Sequence, residues 1–255
     1  MITDLLARNA AAHPGRAFVV TDLGSYSFGE IDDAARRYAR RLELAGVGEG
    51  DHVSLIAGNH AGYLVSWFAI NIAGAVAVTL NTQLTGEGLD YALTQSDSKL
   101  AIVDAAWLAA RGIAAEGGAW GLPLIVLGGE EEIFAEAARW EPASPARLKP
   151  GAPATIMYTS GTTGLPKGVL NSHAAYLAAG RGMVDVLGLT PDDRCMVVLP
   201  LFHANPQMYA VMSALEVGSC LVLREKFSAG AFFEDAARFL EQLFVAGLNI
   251  SEQQI

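Results

Sequence analysis

The chain has 255 residues, of which 52% are hydrophobic and 17% charged. That excludes a disordered chain, which lacks the apolar mass to offset its ordering entropy. Lysine plus arginine is 17 against 27 for aspartate plus glutamate, a formal charge of −10, and a surface of that sign repels phosphate backbones, so nucleic acid is not an expected partner.

In chain order, the opening stretch MITDLLARNAAAHPG carries Asp4 and Arg8 where a signal peptide needs an apolar core. A helix is predicted over 30–45, with the pairs Arg36-Arg37 and Arg40-Arg41 read as its solvated face. A strand at Val53–Ala57 follows, then a helix over 61–73 and a strand at Val76–Leu80. Residues 61–86 hold no charge at all, long enough to suggest a membrane span. The run changes character at Gly74, from a helical to a β-branched pattern, and a helix followed by a buried strand explains it better. Next come a helix over 86–95, strands at Leu100–Val103 and Leu124–Leu127, and a helix over 131–139. The segment 140–153, WEPASPARLKPGAP, holds four prolines and reads as a surface connection. Beyond it lie a strand at Thr155–Tyr158, a helix over 172–187, a strand at Met196–Leu199, a helix over 206–215, a strand at Cys220–Leu223 and a helix over 230–243. The second charge-free run, 195–215, contains Pro200 and Pro206 and fails as a span.

Apolar strands alternating with helices imply an α/β fold with mostly parallel sheets flanked by helices. Such sheets place ligands at the carboxyl ends of their strands, which singles out the loops after Tyr158 and after Leu199. Cys195 and Cys220 form no CxxC pair and read as buried free thiols in a reducing cytoplasm. A NAD-binding Rossmann reading is weak, because no GxGxxG follows the first strand.

The first loop belongs to Thr155-Ile-Met-Tyr-Thr-Ser-Gly-Thr-Thr-Gly-Leu-Pro-Lys-Gly-Val169. Gly161 and Gly164 let backbone N–H groups approach an anion, since no Cβ intervenes. Thr159, Ser160, Thr162 and Thr163 add hydroxyl donors and Lys167 adds a full positive charge. Pro166 and Gly168 bracket the lysine in what reads as a turn. The run is not a Walker loop: counted from Gly161, the Gly-Lys pair would fall at 166–167, and position 166 is proline. A serine/threonine/glycine turn without a ligand is the plain alternative.

The string YTSGTTGLPKGV resembles the phosphate-loop signature of the AMP-forming adenylating enzymes, which include acyl-CoA synthetases, luciferases and peptide-synthetase adenylation domains. YSFGEIDDAARRYARRL, GVGEGDHVSLIAGNHAGYLVSWFAINIAGAVAVTLN, LTGEGLDYALTQSDSKLAIVD and VVLPLFHANPQMYAVMSALEVGSCLVL extend the likeness. Thr79 stands where members often have proline. The resemblance implies the N-terminal subdomains of the adenylate-forming fold: a partial adenylation domain over 3–240, a tail over 241–255 unlike the family, the second sheet left incomplete and no small C-terminal domain.

The resemblance also implies a two-step acid–thiol ligase with ATP, Mg2+ and coenzyme A as co-substrates and a small carboxylic acid as partner. Thr159, Ser160, Gly161, Thr162, Thr163 and Gly164 would hold the β- and γ-phosphates. Lys167 would neutralise them, and Thr159 would contribute to the Mg2+ site. His203 would line the acid's pocket. A Phe202-His203 pair, where amino-acid-activating domains carry Phe-Asp, favours an acyl or aryl acid, and the surrounding wording is nearest carnitine-type and short- or medium-chain acyl-CoA ligases. No catalytic residue is assigned within these residues. The family's Tyr-Gly-x-Thr-Glu string, its ribose-binding Gly-Asp motif and its adenylation lysine do not follow in this sequence. A chain inactive alone is therefore expected, with a non-catalytic nucleotide-binding module, or half of a split ligase with a separate partner chain, as the alternatives.

Overall fold

The computed structural model describes residues 1–114, 119–159, 166–225, 230, 232–239 and 243–245. In chain order it contains α1 (Ile2–Ala12), β1 (Ala17–Val20), β2 (Ser25–Ser27), α2 (Phe28–Leu44), β3 (His52–Ile56), α3 (Ala61–Ile72), β4 (Val76–Thr79), α4 (Gly86–Gln95), β5 (Ser98–Asp104), α5 (Ala105–Ala110), β6 (Leu124–Leu127), α6 (Glu130–Ala137), β7 (Pro153–Thr159), β8 (Lys167–Ser172), α7 (His173–Leu187), β9 (Arg194–Val197), a π-helical segment (Asn205–Val211), α8 (Met212–Val217), β10 (Cys220–Leu223), α9 (Phe232–Phe239) and β11 (Leu243–Val245). The chain divides into two compact units. One comprises residues 1–32, 59–61 and 174–255, the other residues 33–58 and 62–173.

The unit built from residues 33–58 and 62–173 holds a six-stranded sheet in the order β6-β5-β3-β4-β7-β8. Its pairings are parallel except for the β7–β8 hairpin, which is antiparallel. All four residues of β4 are buried, as are Val53 to Ile56 of β3, the pattern of strands covered on both faces. The uncharged run from Ala61 is α3, buried along its length, followed by β4. Among the described residues no helix is long and apolar enough to cross a membrane.

The arginine pairs of α2 are only partly a solvated face: the Arg40 side chain is 41% exposed, but Arg37 and Arg41 are more covered and partnered elsewhere. Arg37 donates to Asp33 at 2.7 Å and to the carbonyl of Trp140 at 2.7 Å. Arg41 pairs with Glu136 at 2.7 Å and lies over the Tyr38 ring. The Ala143 N–H donates to the Arg36 carbonyl at 3.0 Å and the Ala146 N–H to the Ile72 carbonyl at 2.9 Å. The proline-rich connection is thus tied down by its backbone and by Arg37, while Arg41 holds α6 and Arg40 pairs with Glu43 within α2 at 2.6 Å.

The other unit holds a five-stranded sheet in the order β11-β9-β10-β1-β2, parallel except for β1–β2. Ile2, Leu5, Leu6 and Asn9 are buried on one face of α1. Arg8 and Asn9 from that helix donate to the Leu215 carbonyl, and Arg8 also to that of Glu216. They satisfy carbonyls at the end of α8, where a cation is also favoured by the helix dipole. Phe18 and Phe28 stack at 4.4 Å.

Every strand expected from the sequence is present, but β1, β2, β8 and β11 were not foreseen. β2 and β11 are three residues long and β8 has only Val169 and Leu170 as apolar side chains, runs too brief to register. Of the helix expected over 230–243, α9 is described over Phe232–Phe239, and Leu243 belongs instead to β11, which pairs alongside β9.

Candidate functional site

Each of the two loops singled out by the sequence lies within one unit. In the unit of residues 33–58 and 62–173, β7 runs parallel to β4 and delivers Thr159 to the sheet's carboxyl edge. This is where open α/β sheets bind ligands. Lys167 opens β8 and is the register partner of Thr159, with the Thr159 hydroxyl 3.4 Å from the Lys167 carbonyl oxygen. The expected turn around the lysine is therefore corrected: Lys167 and Gly168 are strand residues, held in extended conformation by pairing with Thr159 and Tyr158. Ser160, Gly161, Thr162, Thr163 and Gly164 lie outside the described residues.

The strand leading to the loop is firmly seated. The Trp67 indole N–H donates to Thr155 Oγ1 at 3.0 Å in the buried interior. Tyr158 donates to the Ala92 carbonyl at 3.2 Å and also reaches the side chain of Gln95. Burial, with the nearby Tyr91 adding to it, pushes the Tyr158 phenol up to about 12, so it stays a donor. Gly168 faces this strand so closely that a Cβ would lie 2.9 Å from Ile156 Cγ2. At the exposed end of the hairpin, Lys167 has no ion pair among the described residues. The strand register sets a threonine opposite a lysine, residue types whose hydroxyl and ammonium suit a phosphate and the hard cation that accompanies it. Among the described residues no cluster of three His, Cys, Asp or Glu side chains could hold a metal ion.

In the other unit, the loop after β9 carries Leu199 to His203. The Leu201 N–H donates to Asn59 Oδ1 at 2.8 Å, and Asn59 Nδ2 donates to the carbonyls of Leu199 at 2.8 Å and Arg224 at 3.1 Å. Gln207 Nε2 donates to the Leu201 carbonyl at 2.6 Å, and the Tyr176 hydroxyl donates to Gln207 Oε1 at 2.6 Å. The His203 N–H closes a turn on the Pro200 carbonyl at 3.0 Å, and its ring lies 4.4 Å from that of Phe202, centroid to centroid. Partial burial holds the imidazole below its ordinary value, which favours its neutral form. Asn59, Tyr176 and Gln207 carry no local signal: among the bonds that join Tyr176 to Gln207 and that tie Asn59 and Gln207 to the loop, all but one span 31 to 142 positions.

A cleft of about 310 Å³ opens beside Arg16, Pro191, Asp192, Arg194 and Cys220. It lies at the amino ends of β1, β9 and β10, opposite the edge from which the His203 loop departs, and Arg16 there already serves the Pro191 carbonyl and Asp192.

A family model described as AMP-binding enzyme matches residues 6–245. Among curated proteins, a sulfoacetate–CoA ligase of Cupriavidus necator is 32% identical over 238 residues, covering 92% of this chain and 47% of its own length. A crotonobetaine/carnitine–CoA ligase of Salmonella paratyphi A is 31% identical over 225 residues, covering 84% of this chain and 43% of its own. Among solved structures, O-succinylbenzoate coenzyme A synthetase of Bacillus subtilis, in complex with ATP and magnesium ion, matches with a TM-score of 0.81 at 26% identity. That match covers 94% of this chain and 62% of the other. The chain spans less than half the length of these two curated relatives.

Proposed function

The chain belongs to the AMP-binding enzyme family, and from that premise we propose that it carries the phosphate loop and part of the acyl pocket of an ATP-dependent acid–thiol ligase. In the reaction, a carboxylate oxygen attacks the α-phosphorus of ATP and pyrophosphate departs with the electron pair of the broken P–O bond. The thiol of coenzyme A then attacks the acyl carbon of the adenylate, and AMP leaves.

Phosphoryl chemistry of this kind is mainly positioning and charge neutralisation. The ammonium of Lys167 and the hydroxyl of Thr159 face the departing phosphates in this reading, with Ser160 to Gly164 between them, and Thr159 offers an oxygen to Mg2+. His203, favoured in its neutral form, lines the carboxylate's pocket without placing a second charge beside it, which suits an acyl or aryl acid. The named curated relatives are CoA ligases of sulfoacetate and of crotonobetaine or carnitine, and a carnitine-type or short- or medium-chain acid is the narrower form of the reading. Two free cysteines support a cytoplasmic setting.

The observation that carries the reading is the Thr159–Lys167 pair at the carboxyl edge of β7, closing the glycine-rich run. Calorimetric titration with pyrophosphate and with Mg–ATP tests it. Binding should weaken roughly tenfold to a hundredfold in Lys167→Ala, the loss of one charge-assisted hydrogen bond of about 1.5–3 kcal/mol. Unchanged affinity in that variant would sink the phosphate assignment. The 255 residues alone should bind without forming acyl-hydroxamate from ATP, acid and hydroxylamine. Turnover appearing only with a second chain that carries the adenine, ribose and lysine motifs would identify a split ligase.

A further inference from the structure

We propose that Asn59 and Gln207 are positioning residues for His203: two side-chain amides that clamp the Leu199–His203 loop and fix where its imidazole is presented. The inference rests on the reading of His203 as part of the acyl pocket.

Three backbone groups of this loop, the Leu199 carbonyl and both the N–H and the carbonyl of Leu201, are met by side chains rather than by a strand or helix ladder. Asn59 serves the loop with both ends of its amide, accepting from Leu201 and donating to Leu199. The same nitrogen reaches the Arg224 carbonyl just past β10, so one side chain staples the exits of two neighbouring parallel strands, β9 and β10. Asn59 is 7% exposed and Gln207 fully buried. Buried amides are costly unless their partners are in place, so the arrangement is bound to one loop geometry.

The orientation of Gln207 is decided by a third residue. A carboxamide can flip its oxygen and nitrogen, and either end can face a polar group. Tyr176, itself fully buried, donates its hydroxyl hydrogen to Gln207 Oε1, which leaves Nε2 facing the Leu201 carbonyl. Gln207 stands in the π-helical segment, a local widening of the helix that recurs beside functional sites. With Leu199 and Leu201 held and the His203 N–H turned onto Pro200, the histidine keeps little freedom beyond its side-chain torsions. That is the preorganisation a binding group needs from its supporting shell.

A merely structural role would lower stability without moving His203. The test is NMR of the full 255-residue chain with ring-labelled histidine, comparing wild type with Asn59→Asp, Gln207→Met and Tyr176→Phe. Asn59→Asp keeps the acceptor for Leu201 and loses the donor. Gln207→Met keeps length and loses both functions. Tyr176→Phe removes only the bond that orients Gln207. The expected result is displacement of the His203 ring signals from their Phe202-shifted positions in the first two variants, a smaller displacement in the third, and unmoved signals for His13 and His52. His203 signals superimposing on wild type in Asn59→Asp and Gln207→Met, whatever the melting temperature does, would overturn the proposal. If one of these variants fails to fold, the other together with Tyr176→Phe decides it by the same criterion. A separate titration of wild type with benzoate and hexanoate addresses the pocket reading. A silent His203 there, with displaced signals in the variants, removes the acyl-pocket reading and leaves the clamp standing.

Discussion

The Trp67 indole N–H and the Thr155 hydroxyl meet at 3.0 Å with neither residue open to solvent, joining α3 to the strand that leads into the glycine-rich run. One is the largest fully buried side chain in the protein's described residues and the other a small polar residue in the middle of an apolar strand. The bond accounts for why a threonine occupies a position where the pattern alone would put valine.

Thr155→Val keeps the shape and removes the acceptor for the indole. Stability should fall by about 1–3 kcal/mol, the cost of leaving a buried donor unmet. Urea denaturation measures it. Trp67→Phe combined with Thr155→Val should cost less than the two changes summed, because each already removes the same bond.

Gly180 on α7 faces α8 with no room for a methyl group. A Cβ there would lie 2.6 Å from Met212 Cβ and 2.8 Å from its carbonyl carbon. Since the obstacle includes backbone, Gly180→Ala should destabilise by roughly 1–3 kcal/mol through overpacking, outweighing a helix-propensity gain of up to about 1 kcal/mol. A thermal melt checks the sign, and an unchanged or higher Tm would show that α7 and α8 can part without penalty.

Lys99 holds Asp51 below the usual carboxylate range by a hydrogen bond at 2.9 Å, and the Gly48 N–H adds a second at 2.8 Å. A lowered carboxylate contributes stability that is present above its unfolded value and is lost as pH falls through the folded one. Lys99→Met should therefore move the Asp51 midpoint up in a carbon-detected NMR titration and flatten the acid limb of the stability curve. The pair is largely solvated, so the change in stability at neutral pH should stay under about 1 kcal/mol.

Burial pushes the Cys220 thiol up to about 11, with Arg194 and Arg16 only partly opposing it. Thiolate is the reacting species, so alkylation of Cys220 by iodoacetamide should be slow at pH 8 and accelerate as pH approaches 11. Peptide mass spectrometry distinguishes it from Cys195, which is 3% exposed and should remain unmodified until the chain unfolds. Rapid labelling of Cys220 at neutral pH would contradict the burial that raises it.

Local pattern carried much of this protein's reading. Alternating apolar runs and helical spacings placed β3 to β7, β9 and β10, because a strand buried on both faces must be apolar throughout, whatever it packs against. The Thr159–Lys167 string stands out for a similar reason: small, hydroxyl and cationic residues in sequence suggest an anion-binding loop without reference to distant partners, the role we propose for it. Lys167 as a strand residue, the anchoring work of the α2 arginines and the Asn59–Gln207–Tyr176 clamp were not legible. Asn59 lies 140 positions from the Leu199 it holds, and Trp67 lies 88 from Thr155. Isolated amides, arginines and hydroxyls have no periodicity of their own. Their roles follow from which backbone groups remain unsatisfied once the sheets have formed, and only the tertiary structure decides that.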